Sequence, residues 1–369
     1  LTKTNGTTAA AALRAGLSEF QGSKGDRIVR EFLEQIDAYY ASPSTGFYDN
    51  RIERRYLEQK LRHLAWKPYP NDGLVTFGAS GTNLCDRQAV FKFGGTKPEK
   101  SDDIPFRGRQ RRVGNAVVDY FQLDLVHMQK RLGKGAKFTM AEAWNEYENS
   151  DGSTYRVKEW RMEDAAQVRK VFEYDGVKFA ITAKPDGIFD YEGGNLLFEY
   201  KTKASGLVAM NGKLDFKGAQ DDHLRQVTAE SLVFGINEGL LVYESTEKPA
   251  WFSDEDNKNV PKTRKTWRDG KPVSDIRPFY FEITEAQQEA LLRDLAAQAK
   301  LIYAKEVPEM VVDMTSKCGF CPFSKHCKAS LTDEERSSLV EAEQRYAKSR
   351  EAGKYAHRNL INYLDGVSS

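Results

Sequence analysis

Residues 155–203 depart from the helical spacing found on either side of them, and two charged motifs sit inside that departure. Short apolar runs (Val168, Val171 and Phe172; Val177, Phe179 and Ile181; Ile188 and Phe189; residues 196–200) are separated by turn residues at Asp175-Gly176 and Gly193-Gly194-Asn195. Strands joined by tight hairpins satisfy this pattern, which predicts an antiparallel meander. Within it stand Ala183-Lys184-Pro185-Asp186-Gly187 and Glu199-Tyr200-Lys201, with twelve residues between Asp186 and Glu199. Side chains two apart on a strand share a face, so Glu199 and Lys201 project together while Phe198, Tyr200 and Thr202 face the other way. A hairpin at Gly193-Gly194 brings Asp186 alongside them.

Two carboxylates and an ammonium placed in this way suit phosphodiester hydrolysis. The carboxylates are hard oxygen ligands for Mg²⁺ or Mn²⁺, which polarises a phosphate and acidifies a water, and the amine orients that water or offsets charge on phosphorus. The competing reading is a cross-strand ion pair on a solvent face. Pro185 and Gly187 bracketing Asp186, and the apolar strands around both motifs, weigh against it. Glu58-Gln59-Lys60, with Asp49 upstream, spells the same motif in helical spacing, where residues two apart diverge by about 200°.

Elsewhere Ile28, Phe32, Ile36 and Tyr40 recur every four positions and predict a helical cap over residues 1–79. Helices are expected at 80–93, carrying Cys85, and at 110–132, 221–234 and 284–303. Strands are expected at 239–243 and 279–283, a polar insertion loop at 249–275, and a charged helical tail within 331–369. Helices alternating with strands give an α/β fold, a core over 80–330 with helical additions at both ends. The 55 Lys and Arg against 54 Asp and Glu leave a net charge of +1, so any nucleic-acid surface is a local patch. No run approaches the roughly 18 apolar residues of a membrane span, and the start lacks the order of a secretory signal. A soluble, cytoplasmic protein without a membrane partner is the expectation, and Leu1 in place of Met reads as a processed start.

Of four cysteines, Cys318, Cys321 and Cys327 fall within ten residues, and Cys85 lies 233 residues before them. Three clustered thiols signal a metal group: zinc, completed by Cys85 or His326, or an iron-sulfur cluster on four thiolates.

Pro185-Asp186-Gly187, a hairpin and then Glu199-Tyr200-Lys201 resembles the PD-(D/E)xK nuclease superfamily. With a lone Cys85, flanked by Ser80 and Arg87, and the later trio C-x2-C-x5-C, the chain is similar over residues 80–327 to the RecB-like iron-sulfur exonucleases, including CRISPR-associated and phage forms and the AddB nuclease domain. The resemblance implies a restriction-endonuclease-like core, a mixed central sheet flanked by helices. It implies a structural 4Fe-4S cluster on Cys85, Cys318, Cys321 and Cys327, and Mg²⁺ or Mn²⁺ held by Asp186, Glu199 and the Tyr200 carbonyl, with Lys201 positioning water. Where the family often has Gly-x-x-x-His, Gly114 is followed by Val118, and Asp119 is the expected replacement ligand; His127 reads as a surface or interface residue. Of the family's Gln-x-x-x-Tyr only Gln226 matches, since Glu230 stands at the fourth position, and His223 lies a turn before it.

The partner implied is DNA, single-stranded or at its ends, contacted by Arg107, Arg109, Arg111 and Arg112 and by Trp267 among Lys262, Arg264, Lys265 and Arg268. A 5′-to-3′ exonuclease acting in phage or CRISPR-linked DNA processing is the implied activity, with a homo-oligomer or recombination proteins as further partners. The alternative is a catalytically weak DNA-binding adaptor that keeps the nuclease scaffold.

Overall fold

Asp175 and Gly176 take φ of 48° and 75°, and Glu192 and Gly193 take 52° and 80°. Two successive residues with positive φ match the hairpin turns whose twist suits paired strands. In the computed structural model, which describes residues 24–41, 49–64, 69, 71–99, 105–248, 274–310, 318 and 321–347, the first turn joins β5 (Val168–Tyr174) to β6 (Val177–Ala183). The second joins β7 (Gly187–Tyr191) to β8 (Gly194–Lys203). It falls one residue earlier than expected, because Glu192 takes the left-handed position and Gly194 already opens the strand.

The expected single meander is divided between two sheets. β6 pairs antiparallel with β5 and parallel with β1 (Thr76–Gly78). β7 and β8 belong to a five-stranded mixed sheet of order β10-β9-β8-β7-β2, with β2 at Phe138–Met140, β9 at Glu238–Ser245 and β10 at Ile276–Glu282. The break falls at residues 184–186, where Pro185 has no N–H to give a ladder. A hairpin of β3 (Glu142–Glu148) and β4 (Thr154–Trp160) was not foreseen as such. It buries a polar set rather than an apolar face, so hydrophobic alternation does not reveal it.

Helices cover both faces of the five-stranded sheet, giving an α/β fold with a mixed sheet between helical layers. One layer holds α1 (Lys24–Ala41), α2 (Asn50–His63) and α4 (Pro105–Leu132), following α3 (Asp86–Phe93) in the chain. α1 is part of the core: the Phe32 ring lies 5.4, 6.0 and 6.1 Å from those of Phe138, Phe189 and Phe198. The fourth residue on its buried face is Tyr39, and Tyr40 is 49% exposed, since a strict four-residue step drifts off a 3.6-residue helix. On the other face α5 (Leu207–Lys217) and α6 (Asp221–Phe234) make the crossover between the parallel strands β8 and β9, packing Met210, Leu214, Leu224 and Val227 onto Leu197 and Leu241.

α4 begins at Pro105 rather than at 110, as a helix tolerates proline in its first turn. It passes close to β8: a Cβ on Gly114 would stand 3.0 Å from Thr202 Oγ1. The helix expected at 80–93 is a 3₁₀ turn (Ala79–Gly81) followed by α3, with Cys85 capping α3 by accepting the Gln88 N–H on its sulfur. α7 (Glu285–Ala304) starts with a reciprocal Thr284–Gln287 cap, and α8 (Ser324–Ala329) and α9 (Asp333–Ala347) follow. The insertion with Trp267, Lys262, Arg264, Lys265 and Arg268, and residues 348–369 of the tail, lie outside the described residues. Among the described residues no helix is long and apolar enough to cross a membrane.

Candidate active site

Asp186 stands at the joint between the two sheets, immediately before β7, whose Gly187 is paired with Phe198. Its Oδ2 accepts the Tyr200 N–H at 2.7 Å, which ties the carboxylate to the backbone between Glu199 and Lys201. From α4, Gln122 donates Nε2 to the Asp186 carbonyl at 3.0 Å. The alternation along β8 holds. Phe121 of α4 stacks on Tyr200 at 4.4 Å, whereas Glu199 and Lys201 turn toward α6.

Glu199 is 2% exposed, so its ion pair with Lys201 is not a solvent-face pair. Gln226 of α6 holds both partners: its Nε2 donates to Glu199 Oε1 at 2.6 Å, and its Oε1 accepts from Lys201 Nζ at 2.9 Å. The same Nε2 donates to Glu230 Oε1 at 2.9 Å, and Glu230 is 0% exposed. The second oxygens of both glutamates, Glu199 Oε2 and Glu230 Oε2, are buried without a hydrogen-bond partner. A cavity of about 250 Å³ opens beside this group, lined by Ser80, Gln167, Thr182, Lys184, Gln226 and Glu230. A second cavity of about 270 Å³, between Tyr40, Tyr120 and Glu244, touches none of these residues.

Burial, and then the charge of Glu199, push the Asp186 and Glu230 carboxyls well above the usual carboxylate range. Burial alone would depress Lys201, but Glu199 and Asp186 outweigh it and the net shift is upward, so the ammonium stays charged. Three carboxylates against one ammonium leave surplus negative charge in a water-poor site, which protons or a cation must compensate. Orphaned carboxylate oxygens are hard donors, and the set fits Mg²⁺ or Mn²⁺. Among the described residues no three His, Cys, Asp or Glu side chains already stand as a closed ligand cage.

Asp119 is engaged elsewhere: its Oδ1 pairs with Lys60 of α2 at 2.6 Å and its carbonyl accepts the Tyr56 hydroxyl. Val118 packs on the core, and the next position on a helix points about 100° away. His127 is corrected from surface to interior, with Nε2 3.1 Å from Glu53 Oε1. His223 places Nδ1 2.8 Å from the Tyr243 hydroxyl, and burial lowers its pKa to about 3, so the ring is neutral. Lys203, two beyond Lys201 on the same face, donates to Gln220 Oε1 at 3.1 Å, and burial brings its pKa down to about 8. Lys203 and Gln122 are the site residues that sequence reasoning passed over, and Glu230 entered it only as the residue in the tyrosine position of the Gln226 motif. Lys203 alone carried a local signal, the same two-residue spacing. Arg109, Arg111 and Arg112 are exposed on α4; the Arg107 side chain lies outside the described residues.

The four cysteines lie near enough to influence one another's charge, although among the described residues they do not stand as a preformed ligand group. Burial, with Cys327, Cys85 and Cys321 nearby, pushes the Cys318 thiol up to about 12, and burial together with Cys85 and Cys327 pushes Cys321 up to about 11. Four thiols in one electrostatic neighbourhood are a donor set suited to a soft metal group. His326, the alternative fourth ligand, is exposed beside the Phe91 ring. Arg87, 4% exposed, ties the region together: it donates to the Pro308 carbonyl, Glu335 Oε1, the Cys327 carbonyl and Ser330 Oγ.

No protein-family model and no curated protein matches this chain. Among solved structures it is similar to the crystal structure of SSO0001, with 15% identity and a TM-score of 0.37 over 76% of this chain and 96% of that one. It is also similar to the crystal structure of LHK-Exo in complex with dAMP, with 12% identity and a TM-score of 0.32 over 63% of this chain and 90% of that one. Likeness this distant says nothing about chemistry, which rests on the side chains described above.

Proposed function

We propose that the chain is a metal-dependent DNA nuclease whose reaction centre is Asp186, Glu199 and Lys201. The observation that carries this reading is the bond from the Tyr200 N–H to Asp186 Oδ2, together with the Glu199–Lys201–Gln226 contacts, which gathers two carboxylates and an ammonium beside a cleft. Asp186 and Glu199 would hold Mg²⁺ or Mn²⁺, which would supply Lewis acidity toward the phosphate and toward water. Gln226 keeps Lys201 and Glu199 in register, and Lys201 orients the attacking water and offsets charge on phosphorus. Water oxygen bonds to phosphorus, the bond to the 3′ oxygen breaks, that oxygen takes a proton, and a 5′ phosphate remains.

The finer form, a 5′-to-3′ exonuclease on single strands, comes from the motif resemblance, as does a structural 4Fe-4S cluster on Cys85, Cys318, Cys321 and Cys327. The electrostatic proximity of the thiols supports the cluster. The adaptor reading is favoured by one observation, Val118 at the position where a histidine ligand would stand. An end-labelled time course on single- and double-stranded DNA, with Mg²⁺ and Mn²⁺ tested separately on wild type and Lys201→Ala, separates the two. Cleavage by wild type that is lost in the variant is the expected result; binding without metal-dependent cleavage by wild type would leave only the adaptor.

A further inference from the structure

α5 is held along one side only. Met210 and Leu214 are buried against the mixed sheet, and Asn211 and Asp215 both accept from the Arg277 guanidinium of β10 at 2.8 Å. Successive helical residues turn by about 100°, so these four fill one half of α5 and leave Val208, Gly212, Lys213, Phe216 and Lys217 on the other. Phe216 is 86% exposed. A Cβ on Gly212, one turn before it, would meet nothing within 4 Å, so this side of the helix is open.

A lone exposed ring is ordinary on a protein surface, but this one stands amid positive charge. Lys213 and Lys217 flank it, and neither has an ion pair or hydrogen bond among the described residues. Asp215, the acid between them, is answered by Arg277. The same charge reaches the reaction centre. Burial is the main cause of the low Lys203 and His223 pKa values, and the charges of Lys213 and Lys201 depress both further against the pull of Asp222. Lys203 also donates to Gln220 in the link between α5 and α6, on the face of β8 that carries Lys201. Lys201, Lys203 and Lys213 therefore form one row of amines that leads from the carboxylates to Phe216. A polyanion with aromatic bases complements a row of amines ending in an open ring.

We propose that this face of α5 is the bed for an unpaired stretch of DNA running to the reaction centre, with phosphates on Lys203 and Lys213 and a base stacked on Phe216. The proposal rests on the nuclease reading and names a contact surface outside its reaction centre. Every base has a π-face, so the contact is indifferent to sequence. Within a duplex both faces of a base are covered by its neighbours, so the ring meets only unpaired or terminal bases.

Anisotropy of a labelled thymidine oligonucleotide and of its abasic counterpart, measured on the full chain without divalent metal so that no strand is cut, tests this. Phe216→Ala is expected to bind the thymidine strand about 10-fold more weakly, within the range of one lost base stack, and to bind the abasic strand as wild type does; Phe216→Trp is expected to keep wild-type affinity or exceed it. Lys213→Gln is expected to weaken both strands and to reduce the slope of log affinity against log salt by about 0.7, the share of one phosphate on a single strand. Equal binding of the thymidine strand by wild type and Phe216→Ala overturns the proposal. So does an equal loss on both strands, which would make Phe216 the seat of a protein segment, or an unchanged salt slope in Lys213→Gln. Cleavage with Mg²⁺ or Mn²⁺ is followed in parallel. Wild type that cuts DNA while Phe216→Ala binds it undiminished removes this proposal alone, whereas wild type that neither binds nor cuts removes the nuclease reading as well.

Discussion

The Tyr200 N–H donates to Asp186 Oδ2 at 2.7 Å, so a carboxylate from the joint between two sheets is fixed to the backbone of the strand that carries Glu199 and Lys201. Side-chain length is therefore as important as charge at position 186. Asp186→Glu keeps the charge but adds a methylene that cannot keep both the Tyr200 bond and the direction of the second oxygen. Metal-dependent cleavage is expected to fall by about 100-fold in single-turnover assays, the typical cost of a misplacement near 1 Å, while DNA binding changes little. Full activity in Asp186→Glu would show that the Tyr200 contact does not position the site.

Gln226 joins Glu199, Lys201 and Glu230 through one amide. Gln226→Leu preserves volume and removes all three bonds. Activity is expected to drop about 10- to 100-fold, the usual effect of losing a partner that orients ligands, and the concentration of Mg²⁺ needed for half-maximal rate is expected to rise. A rate loss with no change in metal requirement would place Gln226 on the substrate instead.

Lys203 carries a pKa brought down to about 8 by burial, so its charge is present below that pH and is lost as pH rises through it. Because the folded value is lower than the unfolded one, this group makes folding more favourable as pH climbs from about 8 to the ordinary lysine value. DNA affinity moves the opposite way. Anisotropy titrations at fixed salt are expected to show weaker binding between about pH 7 and 9, and Lys203→Arg, charged throughout, is expected to flatten that dependence. An unchanged slope in Lys203→Arg would mean that Lys203 does not face DNA.

Arg87 links the turn of Cys85 to Pro308, Cys327, Ser330 and Glu335 from within the protein interior. Arg87→Met takes the cationic partner from Glu335, which keeps only the Met310 and Thr332 N–H groups, and a donor from the Pro308 carbonyl, and is expected to destabilise the fold by about 3–5 kcal/mol in denaturant titrations. If the cysteines hold an iron-sulfur group, iron and labile sulfide in the purified variant fall together with stability, and Cys327→Ser reproduces the loss. Iron content that survives Arg87→Met would separate the staple from this network.

Glu159, 1% exposed, receives bonds from Arg62, His63, Asn145 and Tyr147. Burial pulls its carboxyl up, but these four contacts outweigh burial and bring the pKa down to about 2. A depressed carboxylate stabilises the fold above its unfolded pKa and loses that contribution as pH falls toward the folded one. The melting temperature is expected to decline from about pH 4.5 toward pH 2, and Glu159→Gln is expected to start lower at neutral pH with a shallower decline. Parallel curves for the two proteins would count against this assignment.

Much of the site was legible because its signals are local. Alternation by two placed Glu199 and Lys201 on one face, turn chemistry folded Asp186 back toward them, and the thiol spacing singled out Cys318, Cys321 and Cys327. Gln226 was reached through a motif, and of its three contacts only the one with Glu230, four residues on, follows from helical position. The β3–β4 hairpin was missed as a hairpin because its buried side holds Tyr147 and Glu159, polar residues that no hydrophobic period reports. The two-sheet division was missed because Pro185 ends one ladder without stating where the next begins.

By itself the chain determined strands, turns, helix faces and the identities of the charged and thiol groups, all properties of neighbours within a few residues. Only the tertiary structure decided that Asp119 answers Lys60, that His127 is buried beside Glu53, that Gln122 holds the Asp186 carbonyl, and that Glu230 joins the carboxylates. Those pairings span 4 to 74 residues and depend on how helices settle on a sheet. Packing chooses among many partners of equal local merit, and a sequence period records which way a side chain points but not what it meets.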